Sequence, residues 1–76
     1  MTRNTYRILA AELGTVGRDV FDTGTPHAIA AFVAAVDVMM ANLKADNGRF
    51  DRCRFIDALG LVDDVDEWDL LANLNR

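Results

Sequence analysis

Few side chains in this sequence could do covalent or metal chemistry. His27 is the single histidine and Cys53 the single cysteine. A protein zinc site takes about four nitrogen, sulfur or carboxylate ligands, and neither residue has a companion at ligand spacing. His27 reads as a solvated residue in the first turn of a helix. Cys53 stands between Arg52 and Arg54 at a helix start, where a thiolate is favoured. A reactive thiol is one reading of it, and a partly buried small hydrophobe is the reading adopted. The stretch Gly14-Thr15-Val16-Gly17 lacks the lysine and the spacing of a phosphate-binding loop. No nucleophile–base pair is apparent. The expectation is a protein that is not an enzyme and uses no cofactor or metal.

Charge is the chemistry that remains. From Met1 to Gly60, seven basic and seven acidic side chains cancel; from Leu61 onward, five carboxylates face one arginine, which accounts for the whole net charge of −4. Those carboxylates are Asp63, Asp64, Asp66, Glu67 and Asp69, and Trp68 lies among them. Tryptophan is enriched among interface hot spots, so these six residues form the candidate partner-binding surface. A smaller basic cluster, Lys44, Arg49, Arg52 and Arg54, is the alternative site, a nucleic-acid contact. A helix over 52–59 would then enter a DNA groove as in a helix-turn-helix variant. Asp46, Asp51 and Asp57 lie among the same residues, and the acidic balance argues against general nucleic-acid affinity.

The elements that must position these residues centre on Pro26 to Leu43. Thr25 can accept from a first-turn N–H, and Pro26 fits the first helical position. Ile29, Phe32, Val33, Val36, Met39, Met40 and Leu43 recur at steps of three and four, and alanines fill much of the remaining circumference. The pattern is apolar over more than half the helix, so this helix is sandwiched by others or shared with a second copy. His27, Asp37, Asn42 and Lys44 interrupt it before the ~20 apolar residues of a membrane span. Asp46-Asn47-Gly48 should stop it through a left-handed cap.

A first helix is expected over about 3–16, with Tyr6, Leu9, Leu13, Val16 and Val20 inward. Gly14 and Gly17 would break it or make a close contact. A third, over about 52–59, follows from Asp51 as N-cap, Phe50 and Phe55 as a hydrophobic staple, and Gly60 as C-cap with Leu61 folding back. A fourth, over about 64–74, is capped by Asp63 or Asp64 and turns Val65, Trp68, Leu71 and Ala72 to one face. The Trp68 indole N–H should then need an acceptor. The whole of 1–76 is expected to form one all-α domain, a compact three- to four-helix bundle around the central alanine-rich helix.

The block Asn47-Gly48-Arg49-Phe50-Asp51-Arg52-Cys53-Arg54-Phe55, together with the opening MTRNTYRILA, resembles short uncharacterised proteins of phages and mobile elements. Those carry an Asn-x-Arg-Phe-Asp-x-x-Arg-Phe block behind an alanine-rich helix. The matching positions are Asn47, Arg49, Phe50, Asp51, Arg54, Phe55 and Gly60. The resemblance implies a mobile-element origin and assigns no functional residue.

A single cysteine allows no internal disulfide, and the opening residues contain no apolar run of signal-peptide length. A cytoplasmic protein is expected. Its expected function is that of a small acidic interaction module from a phage or mobile element. It would bind and inhibit a host nucleic-acid-processing or defence complex. The alternatives are a helical DNA-binding regulator and a structural homodimer or assembly component packing through Ala30, Ala34 and Met40.

Overall fold

The computed structural model describes residues 3–74. They form four α-helices, α1 (Arg3–Thr23), α2 (Pro26–Asp46), α3 (Arg52–Leu59) and α4 (Val65–Asn73), with no strand among the described residues. The chain is an all-α bundle measuring 34 × 23 × 18 Å. α1 packs chiefly on α3, and α2 on α4.

α2 starts as its sequence dictates. Thr25 is the N-cap, with its hydroxyl accepting the Ala28 N–H at 3.1 Å, and Pro26 opens the helix. Ala30, Val33, Val36, Met40 and Leu43 are buried. Ala30 and Met40 are therefore filled by this chain's own core, and a homodimer cannot pack through them; Ala34 is half-buried. α2 is long and apolar enough in composition to cross a membrane. Here its inner face is the core of the bundle, and it carries an ion-paired Asp37.

The end of α2 differs from the expected left-handed cap. Asn47 is extended, at φ −136°, and Gly60 is the one described residue with positive φ, at 69°. The Asn47 backbone N–H still donates to the Leu43 carbonyl at 2.9 Å, and side chains hold the turn that follows. Lys44 Nζ donates to the Gly48 carbonyl at 2.5 Å and to the Phe50 carbonyl at 3.4 Å, and Asn47 Oδ1 accepts the Arg49 N–H at 3.1 Å. The lysine thus folds the 47–50 turn back onto the last turn of its own helix.

α1 is the larger departure. It continues through Gly14 and Gly17 to Thr23, seven residues beyond the expected stop at Val16. Both glycines are buried at crossing points. A Cβ on Gly14 would lie 2.6 Å from the Leu59 carbonyl oxygen, and one on Gly17 would lie 2.5 Å from Leu61 and 2.9 Å from the Phe32 ring. Each glycine costs about 1 kcal/mol of helix propensity against alanine. The close approach of α1 to the end of α3 offsets that cost. The inward face of α1 is consequently Tyr6, Ala10, Leu13, Gly14, Gly17 and Phe21, while Val16 is 56% exposed.

α3 has the expected ends. Asp51 Oδ1 accepts the Arg54 N–H at 3.1 Å, and the Phe50 and Phe55 rings of the staple lie 5.5 Å apart. Gly60 caps it in the left-handed conformation, and Leu61 packs against the core and close to Gly17 of α1. Asp64 caps α4 by accepting the Glu67 N–H at 2.8 Å, and Glu67 Oε2 accepts the Asp63 N–H at 3.1 Å. Trp68, Met40, Ile56 and Val33 are the most completely buried large side chains, drawn from α2, α3 and α4.

Two contacts lie apart along α1. Asn47 Nδ2 donates to the Tyr6 hydroxyl at 3.2 Å near its start, and Gly17, Phe32 and Leu61 meet further along it. Tyr6 and Gly17 are eleven residues apart on α1, which at ~1.5 Å per residue is about 16 Å.

The close approach at Gly14 gives a test. Gly14→Ala should lower unfolding stability by about 1–3 kcal/mol, the cost of overpacking, despite its better helix propensity. Gly48→Ala, with nothing within 4 Å of the added methyl, should stay within about 0.5 kcal/mol of the parent. Urea denaturation followed by circular dichroism measures both.

Candidate functional site

The acidic segment does two kinds of structural work before any binding. Asp64 and Glu67 are engaged in the N-terminal cap of α4. Trp68 is fully buried, with 0% exposure, so it cannot be an exposed anchor for a partner. Its indole N–H donates to Asp37 Oδ1 at 3.2 Å, the acceptor its sequence position called for. Asp69 is half-buried and accepts from Arg52 at 2.5 Å. Of the six candidate residues, Asp63, Asp64, Asp66 and Glu67 remain exposed, and none of these four is in an ion pair among the described residues.

The basic cluster is also divided. Arg52 bridges Asp37 on α2, at 2.7 Å, and Asp69 on α4, at 2.5 Å. Burial lowers the Arg52 pKa, and the hydrogen bonds and charges of Asp37 and Asp69 outweigh it, so the guanidinium is held above its ordinary value. Lys44 is committed to the turn carbonyls. Arg49 and Arg54 are exposed and carry no ion pair among the described residues. The four residues therefore do not present one basic face, and α3 is only eight residues long.

What the structure assembles instead is a groove of about 730 Å³ between the first turns of α1, the 47–51 turn and α3. Arg7, Arg49 and Arg54 line it, with Tyr6, Phe50 and Phe55 as its aromatic side and Asn47 and Asp51 on its rim. Tyr6 packs edge-on to Phe50 with ring centroids 5.3 Å apart, and its hydroxyl accepts from Asn47, which leaves its O–H free to donate. Arg7 has no ion pair among the described residues either. Neither Arg7 nor Tyr6 was a candidate from sequence. They lie more than forty residues from Arg49 and Arg54, and only the α1–α3 packing unites them.

Cys53 is exposed, contrary to the expected partial burial; it lies in the first turn of α3, ahead of the buried Phe55 and Ile56. It borders a second, shallower hollow of about 560 Å³ with Asp37, Lys44, Arg49 and Arg52. His27 is exposed beside the α2 cap. Among the described residues, no three histidine, cysteine or acidic side chains are grouped to hold a metal ion. Comparison with protein-family models, curated proteins and solved structures finds no match for this chain.

The Asp37 network predicts unequal effects at its two carboxylates. Asp37→Ala should destabilise by about 2–3 kcal/mol, because it strips a charged acceptor from Arg52 and leaves the buried Trp68 N–H unpaired. Asp69→Ala should cost under about 1 kcal/mol, since its side chain is 48% exposed and solvent screens the pair. Thermal and urea unfolding of the two variants decide this.

Proposed function

We propose that this chain is a non-catalytic interaction module of phage or mobile-element origin. It acts in the cytoplasm by binding a partner protein complex. Inhibition of a host nucleic-acid-processing or defence complex is the concrete form of that role. One observation supports the reading: four exposed carboxylates, Asp63, Asp64, Asp66 and Glu67, stand together at the start of α4, and none is in an ion pair among the described residues. A concentrated charge of one sign orients a partner and speeds encounter more than it adds affinity.

The DNA-binding alternative is weaker on the same grounds. Arg52 and Lys44, half of its proposed contacts, are spent inside the chain.

Capture of partners from host lysate by the tagged protein, with and without nuclease, tests the reading. A protein complex should be retained in both halves. Asp63→Asn with Asp66→Asn should reduce its capture severalfold with the domain still folded, because neither residue's side chain is the helix cap and the first-turn charge lost at Asp66 is worth only about 0.3–1 kcal/mol. Retention only without nuclease would favour nucleic-acid binding instead.

A further inference from the structure

The arginine groove has features that the charge argument alone does not use. Three guanidinium groups line it, none of them neutralised by an ion pair among the described residues. An unpaired arginine is unremarkable on a surface. Three around one concavity, against the single carboxylate of Asp51, leave a positive lining in a chain of net charge −4. Its accessible apolar surface comes from the half-buried Tyr6 ring and the exposed Ala58, because Phe50 and Phe55 are buried beneath. The Tyr6 O–H is left as a neutral donor beside the cations. Asp51 also caps α3 and is partly engaged there.

We propose that this groove docks an acidic segment of a partner protein. Its carboxylates pair with Arg7, Arg49 and Arg54, and one apolar side chain rests against Tyr6 and Ala58. Guanidinium and carboxylate match as planar forks and form the stronger, charge-assisted hydrogen bonds. The inference rests on the interaction-module reading and names the partner chemistry for this groove.

A peptide is favoured over a nucleic acid by charge complementarity and reach. Among the groove's lining residues one carboxylate, Asp51, stands against three guanidinium groups, so a short acidic segment confined to the groove meets a net positive surface. A nucleic acid long enough to bind tightly extends beyond the groove and meets the exposed Asp46 and Asp57 as well. An apolar wall also has no counterpart in a phosphate backbone.

Fluorescence anisotropy with the intact chain tests the proposal. The probes are a labelled short peptide of aspartates flanking one phenylalanine, the same peptide with asparagine for aspartate, and a single-stranded oligonucleotide of matching length. The acidic peptide should bind, and the asparagine peptide should not. Arg7→Gln and Arg54→Gln should each weaken binding about tenfold or more, as loss of a charge-assisted hydrogen bond does. Asp63→Lys should leave it unchanged, and circular dichroism should show all three variants folded. The proposal is overturned if the acidic peptide fails to bind, if both peptides bind alike, if the arginine variants bind normally, or if the oligonucleotide binds more tightly. Partner capture that persists in Arg7→Gln would leave the module reading standing and remove only the groove.

Discussion

The bundle depends on one carboxylate, Asp37, placed on the inner side of an otherwise apolar helix. A charge in that position is costly unless it is paired and hydrogen-bonded. α3 and α4 supply the partners: Arg52 at 2.7 Å and the Trp68 indole at 3.2 Å. Each is a long side chain delivered from a different short helix. Satisfying Asp37 therefore sets where α3 begins and which face of α4 turns inward. Asp69 then follows from α4's rotation, because it accepts from the same Arg52 Nη2 that serves Asp37. Trp68, once fixed by its N–H, fills the space beside Met40, Ile56 and Val33.

A second constraint places α1. Gly14 and Gly17 let its backbone come against the Leu59 carbonyl, Leu61 and Phe32. With α1 held there, its first turns lie along α3, and Tyr6 and Arg7 come to the 47–51 turn. The groove is thus a consequence of backbone contact made two turns away. The two short helices matter to the surface for opposite reasons. α3 contributes Arg54 to the groove, whereas α4 turns Trp68 into the fold.

Much of this architecture was legible because it is local. Thr25-Pro26, Asp51 with the Phe50–Phe55 staple, and Gly60 are signals read within a few residues, and each does what its chemistry says. The pairings that organise the site are not local. Arg52 meets Asp37 across 15 residues and Trp68 meets it across 31. The need for an indole acceptor was readable, but its identity was not. The glycines of α1 carry the same lesson. In isolation each weakens a helix, and only a close neighbour, the Leu59 backbone at Gly14 and the Leu61 and Phe32 side chains at Gly17, makes it the required residue. The three- and four-residue spacing likewise put Val16 inward on a stripe that the glycines in fact define, and the Asp46-Asn47-Gly48 stop suggested a left-handed cap where Asn47 is extended. A charged or aromatic cluster in sequence was a guide to what the chain invests in, not to which atoms stay available.

The central claim is that the tail's tryptophan is a structural anchor held by Asp37, so that α4 belongs to the cooperative fold. Trp68 is the only tryptophan, and its indole N–H gives a single resolved signal. The most direct measurement is hydrogen exchange of that N–H by NMR, compared with the most protected backbone amides of α2. Protection equal to that of the α2 core would show that the indole is released only by global unfolding, as the account predicts. Fast indole exchange while the α2 amides stay protected would mean that α4 detaches by itself, and would contradict it.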